Sequence, residues 1–95
     1  MAGGWLYIMT NGPNGTLYVG VTADLKRRVH EHRTGEGGGF TKRYRLTRLV
    51  YAEAHDTIQS AIQRETSIKR WPRAWKLRTI HALNPDWRDL YDDLT

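Results

Sequence analysis

The feature that most constrains this chain is a pair of short aromatic and apolar runs on either side of a dense turn signal. Residues 5–10 (WLYIMT) and 16–21 (TLYVGV) have the length and the aromatic and β-branched content of strands. The segment NGPNG at 11–15 lies between them and favours a turn. The two runs therefore predict an antiparallel hairpin.

The rest of the chain predicts further elements around this hairpin. Alternation along the first strand places Leu6 and Ile8 on one face, and Trp5, Tyr7 and Met9 on the other. We predict a helix at about 25–34, a glycine-rich loop at 35–39, a strand at 49–53, a helix from 56 or 57 to about 70, a helix from Pro72 to about 83, and a last turn that docks Trp87, Leu90 and Tyr91. This β-β-α-β-α-α order predicts an α+β fold, in which helices flank a three-stranded, mainly antiparallel sheet within one domain spanning residues 1–95.

Composition and charge narrow the class of protein. The chain has no cysteine, which excludes disulfides and thiolate metal sites. It has no apolar run near the roughly 20 residues that span a bilayer and no signal-peptide pattern, so we expect a cytoplasmic protein. Residues 24–78 carry 14 Lys/Arg against 6 Asp/Glu, a net of +8, between a neutral start and an acidic end. This basic middle favours nucleic acid as a partner, and a solvated charged surface is the alternative.

One polar residue interrupts the apolar pattern of the helix that begins near residue 57. Ile58, Ala61, Ile62, Glu65 and Ile68 fall on one helical stripe. A carboxylate in a buried stripe is costly unless it is paired or bound to a metal. The pattern leaves two interpretations open, a salt bridge to a neighbouring Arg and a metal ligand or acid–base group.

The helix at about 25–34 has a similar feature. Leu25, Val29 and His32 share a face, and Arg28 lies beside it, one turn before His32. A surface Arg beside a partly buried, structural His explains the pattern, and so does a pair of functional residues.

Basic residues cluster in two places. One cluster is the predicted loop Thr41-Lys42-Arg43-Tyr44-Arg45, and the other comprises Lys69, Arg70, Arg73, Lys76 and Arg78, with Trp71 and Trp75 among them. Basic side chains interleaved with aromatic ones can hold phosphates and stack bases. The alternatives are a solvated face and two core tryptophans.

Several segments, taken in order, resemble the GIY-YIG nuclease superfamily and its small stand-alone bacterial members. They are Leu6-Tyr7, Tyr18-Val19-Gly20, the run from Asp24 to His32, Leu49 to Glu53, Arg64 to Lys69, and Asn84 to Leu90. The first motif lacks its glycine, and Val21 stands where some members have a polar residue. The resemblance implies a sheet flanked by helices, and hydrolysis of DNA phosphodiester bonds with one Mg²⁺ or Mn²⁺ ion, in DNA repair or recombination.

The resemblance also implies roles for particular residues. Tyr18 would take a proton from the attacking water with Tyr7 in support, which requires local activation because tyrosine ordinarily titrates at about pH 10. Arg28 would hold the scissile phosphate, and His32 would contact the nucleophile or a phosphate oxygen. Glu65 would be the single metal ligand from the protein. The expected DNA-binding residues are Arg27, Lys42, Arg43, Lys69, Arg70, Arg73 and Lys76.

Some questions stay open after this resemblance. Family members often have an Asn beyond the metal-binding Glu, and Asn84 is the nearest candidate, 19 residues later. The first alternative to a nuclease is a nucleic-acid-binding or repair-accessory module with little activity of its own. The second is a domain that binds a protein partner. A protein partner that supplies specificity is compatible with each of these functions.

Overall fold

The N-terminal hairpin forms as the sequence predicts. The computed structural model describes residues 2–94, and β1 (Gly4–Thr10) pairs antiparallel with β2 (Leu17–Thr22). Between these strands the side chain of Asn11 accepts a hydrogen bond from the backbone N–H of Thr16 at 3.2 Å, which stabilises the turn.

The third strand completes a sheet with the order β2-β1-β3. β3 (Arg48–His55) pairs antiparallel with β1, so β1 is central and β2 is an edge strand. The ladder contains an irregularity: Ile8 pairs with Tyr51, but the next residue of β1 pairs with Leu49. Val50 is therefore an extra residue in β3, and this β-bulge lets both Val50 and Tyr51 pack with Ile8 on one face.

Helices occupy much of the remaining chain. Within residues 2–94 they are α1 (Leu25–Thr34), α2 (Gly39–Arg43), α3 (Ile58–Lys69), α4 (Arg73–Leu83) and a 3₁₀ helix (Leu90–Leu94). The side chains of Asp24 and Thr57 cap α1 and α3 by accepting backbone N–H groups. Gly35 ends α1 in the left-handed conformation, with φ 84°. The predicted α+β class with a three-stranded antiparallel sheet is confirmed.

Helix α2 is the element that the sequence analysis missed. Residues 41–45 were expected to form a loop, yet residues 39–43 form a short helix. Five residues are too few for a helix to be stable on propensity alone, so tertiary contacts must hold it. Thr41 is buried on its inner side, and Leu46, which follows it, is fully buried beside Leu49.

The helices lie on opposite faces of the sheet. Ile68 of α3 and Ile80 of α4 pack with Leu6 and Ile8, whereas Val29 of α1 packs on the other face. The alternation predicted along β1 is therefore confirmed, with Tyr7, Met9 and the half-buried Trp5 on the α1 face. Residues on α1 and α3 can approach each other only around an edge of the sheet.

The C-terminal segment crosses back over the molecule. Trp87 is buried in the α3 face, and Leu90 and Tyr91 are half-buried against the α1 face, so the predicted docking of this segment is confirmed. The Arg48 guanidinium donates to the Trp87 carbonyl at 2.9 Å. No helix between residues 2 and 94 has the length and apolar character needed to cross a membrane.

Candidate active site

Two tyrosines and a histidine meet on the α1 face of the sheet. The ring centroids of Tyr7 on β1 and Tyr18 on β2 are 6.2 Å apart. The His32 ring of α1 lies 5.6 Å from Tyr7 and 5.4 Å from Tyr18. Three elements that are distant in sequence therefore bring three of the predicted site residues together, and we call them the Tyr–His cluster.

A hydrogen-bond chain fixes the protons of this cluster. The Thr41 hydroxyl donates to the Gly38 carbonyl at 3.2 Å, so its oxygen is left to accept from His32 Nδ1 at 2.9 Å. His32 Nε2 then carries a lone pair and accepts the Tyr7 O–H at 2.8 Å. The chain assigns the Nδ1–H tautomer to His32 and makes Tyr7 a hydrogen-bond donor.

Burial keeps both ends of the Tyr7–His32 bond neutral. Burial raises the pKa of the Tyr7 hydroxyl above its ordinary value; the neighbouring Tyr18 adds to this rise and the Arg28 charge opposes it. Burial, reinforced by the Arg28 charge, lowers the pKa of His32 to about 4. The His32 side chain is only 2% exposed, which agrees with this direction. At neutral pH the bond therefore joins a phenol to an uncharged imidazole.

Arg28 is half-buried beside the Tyr–His cluster. Its Nη1 donates to Glu31 Oε1 at 3.0 Å, and this bond raises the pKa of Arg28 and lowers that of Glu31. The neighbouring Arg27 also reaches Glu31, at 2.8 Å, but its side chain is 63% exposed against 31% for Arg28. Arg28 also interacts with Tyr7 and Tyr18, so the register of α1 directs Arg28, and not Arg27, toward the tyrosines.

The glycine-rich loop covers the outer side of these residues. A Cβ at Gly37 would lie 3.0 Å from His32 Nδ1 and 3.6 Å from Arg28 Nη1. A side chain at this position would crowd His32, so glycine lets the backbone approach the site this closely. The expected loop is confirmed at 35–38, and it contributes to the wall of the site.

Glu65 lies apart from the Tyr–His cluster. Its side chain is 24% exposed on α3, and its carboxylate is 3.6 Å from Lys69 Nζ. Ile62, one turn earlier, is exposed, so the stripe that includes Glu65 is buried only at Ala61 and Ile68. The prediction of a continuous buried stripe was wrong because α3 covers only part of the small sheet. No hydrogen bond, ion pair or ring contact within residues 2–94 joins Glu65 to the cluster.

Glu65 and the Tyr–His cluster belong to elements on opposite faces of the sheet, so a site that used both would have to form around an edge of the sheet. Tyr18 lies on the edge strand β2, and α3 packs against β1 and β2 from the opposite face. Residues 2–94 contain no group of three or more His, Asp or Glu side chains arranged to hold a metal. A single half-exposed carboxylate nevertheless fits Mg²⁺, which keeps several waters and binds through one or two carboxylates.

The predicted DNA-binding residues are spread over both faces. Arg27, Lys42, Arg43, Lys69, Arg70 and Arg73 are exposed, and Lys76 is half-buried. Two of them also hold the fold: Arg73 Nη2 donates to the Asn14 and Gly15 carbonyls at 2.7 Å, and Lys76 Nζ approaches the Lys69 carbonyl at 3.5 Å. The structure therefore does not gather this set on a single surface.

Asn84 belongs to the fold and not to the Tyr–His cluster. Its buried amide donates to the Val50 carbonyl at 3.2 Å and to the Arg88 carbonyl at 2.7 Å. Its Oδ1 accepts the Arg88 N–H at 3.0 Å. These bonds attach the C-terminal segment to β3 on the α3 face.

A polar network on β3 was not predicted from the sequence. Glu53 accepts from the Tyr51 hydroxyl at 2.8 Å and from Arg64 Nε at 3.1 Å, and it lies 2.6 Å from His55 Nε2. Burial and the Glu53 carboxylate raise the pKa of Tyr51 to about 12. The spacing Tyr51, Glu53, His55 at every second residue was the available signal, because alternate residues share a strand face. The network fixes Arg64, the neighbour of Glu65, against the sheet.

Comparisons with known proteins define the class to which this fold and site belong. The GIY-YIG catalytic domain matches residues 3–78, which include every residue of the Tyr–His cluster, Arg28 and Glu65. The chain therefore belongs to the GIY-YIG family, a family of nucleases that act on DNA and generally use a divalent metal.

Similar proteins from three bacterial species share the name UPF0213 protein. A UPF0213 protein of Staphylococcus aureus is 42% identical over 67 residues, which cover 70% of this chain and 82% of the relative. One from Staphylococcus saprophyticus is 40% identical over the same lengths. The solution NMR structure of a UPF0213 protein from Bacillus halodurans has a TM-score of 0.57 and 25% identity, and the match covers 97% of each chain. These matches confirm the predicted family and fold class. The name UPF0213 protein does not describe an activity.

Proposed function

We propose that this chain is a divalent-metal-dependent endonuclease that hydrolyses DNA phosphodiester bonds in repair or recombination, with residues 1–95 acting as one domain. The observation that carries the proposal is the convergence of Tyr7, Tyr18, His32 and Arg28 on one face of the sheet. Enzymes hydrolyse phosphodiester bonds mainly by positioning and by electrostatic stabilisation, so the site needs a base for the attacking water and a fixed cation for the phosphate. The convergent residues supply both.

Tyr18 is the better base of the two tyrosines. The Tyr7 hydroxyl already donates to His32 Nε2, and burial raises its pKa, so it holds its proton firmly. Tyr18 lies on the edge strand and is only half-buried, which leaves it open to a water on the solvent side. In this proposal His32, whose Nε2 accepts the Tyr7 O–H and whose Nδ1 donates to Thr41, fixes Tyr7 beside Tyr18.

Arg28 would hold the scissile phosphate. Its guanidinium offers a planar fork that suits two phosphate oxygens and offsets the charge that builds up in the transition state. One arm of that fork now binds Glu31. The Nη2 and Nε donors of Arg28 make no bond to Glu31, so a phosphate could bind there while Glu31 keeps its contact with Nη1.

Glu65 would hold the divalent ion, Mg²⁺ or Mn²⁺, at the edge of β2. When bound, the ion supplies Lewis acidity and stabilises the leaving oxygen. The Glu65 carboxylate would have to exchange its contact with Lys69 for the ion. The Lys69 ammonium, together with Arg70 at the end of α3, would then be available to DNA phosphates.

A cleavage screen tests the proposal. Wild-type protein is incubated with Mg²⁺ or Mn²⁺ and single-stranded, duplex, flapped and branched DNA, beside Glu65→Ala and Arg28→Ala. Asp86→Ala, which removes an exposed carboxylate from the C-terminal segment, is the matched control. We expect metal-dependent products from wild type and Asp86→Ala only, with all variants folded. Absence of cleavage on every substrate by wild type contradicts the proposal.

The second candidate is a DNA-binding or repair-accessory module that cuts little by itself. The observation that favours it is that Arg28 and Glu65 are each engaged by a neighbouring charge, Glu31 and Lys69. Such a module binds DNA with an affinity that falls steeply with salt, and the slope reports its phosphate contacts. Salt-dependent binding without cleavage in the screen selects this function, and a protein partner would then supply the chemistry or the specificity.

A further inference from the structure

An exposed series of aromatic rings leads away from the Tyr–His cluster. The Phe40 ring of α2 stacks on Tyr18 with centroids 6.4 Å apart and planes at 29°. The Tyr44 ring follows, 4.7 Å from Phe40. Phe40 is 47% and Tyr44 43% exposed, although rings of this size are ordinarily buried. We call Phe40 and Tyr44 the aromatic platform.

The segment that carries the aromatic platform is also rich in cations. Lys42, Arg43 and Arg45 are exposed, and none of the three has a carboxylate partner within residues 2–94. The Arg43 guanidinium lies 5.6 Å from the centroid of the Tyr44 ring. The three side chains also line a cleft of about 490 Å³ together with His32 and Thr41. The charge of this surface is complementary to a phosphate backbone, whereas an apolar peptide would leave the cations unpaired.

We propose that the aromatic platform stacks an unpaired nucleobase beside Tyr18, next to the phosphate held at Arg28. The inference rests on the proposed function and adds a substrate class to it: DNA with an unpaired nucleotide beside the cut. Flat aromatic rings flanked by cations bind single strands because every base has a stacking face. A base inside a duplex has both faces covered by its neighbours, so it must leave the stack before it can lie on Phe40.

A second aromatic surface provides the comparison. Trp71 and Trp75 of the α4 region have centroids 6.0 Å apart, and Trp75 is exposed beside Arg78. This pair lies on the α3 face of the sheet, where Trp71 packs against the Ile68 and Ile80 cluster. A base stacked there would be on the opposite side of the sheet from the Tyr–His cluster.

The test measures DNA binding without metal, so that it does not depend on cleavage. The probes are a fluorescein-labelled oligothymidylate of about 20 nucleotides and a blunt duplex of the same length. The variants are Phe40→Leu and Tyr44→Leu, which keep an apolar side chain but remove the ring. Trp75→Leu tests the second surface, and Leu83→Ala, at an exposed site on α4, is the control. Thermal unfolding confirms that each variant is folded.

We expect Phe40→Leu to weaken binding of the single strand about 5- to 100-fold, as loss of one stacked base does, with Tyr44→Leu in the same direction. The duplex affinity and the salt slope should stay as in wild type, because no cation is removed. A 2-aminopurine base in the oligonucleotide should be quenched by wild type and not by Phe40→Leu. Leu83→Ala should bind like wild type.

The inference is overturned if Phe40→Leu weakens both probes equally, if Trp75→Leu carries the loss instead, or if wild type binds neither probe. Its failure can be told from failure of the proposed function. If Phe40→Leu still cleaves DNA and binds the single strand as wild type does, the stacking role of the platform is refuted and the nuclease function is supported. If single-strand binding depends on Phe40 but wild type cleaves no substrate, the stacking role of the platform is supported and the nuclease function is refuted.

Discussion

Gly20 lies directly opposite Tyr7 across the β1–β2 hairpin, and the Tyr7 ring occupies the space that a side chain at residue 20 would fill. A Cβ at Gly20 would be 2.6 Å from the Tyr7 hydroxyl and ring, and 2.8 Å from the Tyr18 ring. Real contacts of that length do not occur, so both rings, or the backbone between them, would have to move. The glycine after Tyr18-Val19 therefore sets the position of both tyrosines.

Gly20→Ala should accordingly destabilise the protein by about 1–3 kcal/mol through overpacking. The change is measured as the free energy of unfolding in urea. Gly12→Ala is the matched control in the same hairpin, because a Cβ at Gly12 meets nothing within 4 Å. If Gly20→Ala and Gly12→Ala lower the free energy of unfolding equally, the close approach of Tyr7 to Gly20 does not explain why residue 20 is glycine.

Thr41→Val should change the tautomer of His32. Valine keeps the shape of the buried side chain but removes the oxygen that accepts from His32 Nδ1–H. The proton then has no partner at Nδ1, and the Nε2–H form, which can donate to the Tyr7 oxygen, gains population. Nitrogen-15 NMR of the imidazole distinguishes the two forms without any assay of activity. Thr47→Val, at an exposed position, is the control, and an unchanged tautomer in Thr41→Val contradicts the proposed hydrogen-bond chain.

The buried His32 should make stability depend on pH. Its pKa is about 4 in the folded protein against about 6.5 when unfolded. The unfolded chain takes the proton more readily, so the contribution is fully present above about pH 6.5 and is lost as the pH falls through about 4. His32→Gln should flatten this part of the unfolding free-energy curve, whereas His30→Gln, exposed on the same helix, should not. Identical pH curves for wild type and His32→Gln would falsify a neutral, buried His32.

Asn84→Ala should weaken the fold and leave metal binding intact. The substitution removes three hydrogen bonds between the buried amide and backbone groups of Val50 and Arg88, which costs about 1–3 kcal/mol. Urea unfolding measures this loss, and Mn²⁺ titration of the folded variant measures the ion affinity. A fall in Mn²⁺ affinity without a fall in stability would instead place Asn84 in the metal site.

The hairpin and the starts of α1 and α3 could be predicted from the sequence because their signals are local. The NGPNG turn, the alternation around Tyr7, and the polar capping residues just before α1 and α3 act within a few positions of the elements they define, and the structure identifies Asp24 and Thr57 as the caps. The structure has these elements close to their predicted boundaries. The fold class follows from their order.

Features that depend on contacts between distant residues could not be read in this way. Helix α2 exists because Thr41 meets His32 and Leu46 meets the core, and neither contact has a signature within five residues of sequence. Helices α1 and α3 pack on opposite faces of the sheet. Their apolar patterns are similar, so the sequence of each helix does not indicate which face it covers. This packing on opposite faces separates Glu65 from Tyr7, and it could not be predicted from the apolar stripe of either helix.

The most direct test of the candidate site compares two adjacent arginines. Arg28 is aimed at the tyrosines and Arg27 is directed to solvent, yet both bind Glu31 and both are in the first half of α1. Single-turnover cleavage of a DNA substrate with Mg²⁺ or Mn²⁺ is measured for wild type, Arg28→Lys and Arg27→Lys. We predict metal-dependent cleavage by wild type, a loss of about 100-fold or more in Arg28→Lys, and a change within a few fold in Arg27→Lys. Equal losses in the two variants, or no cleavage by wild type, would contradict an active site built from Tyr7, Tyr18, Arg28 and His32.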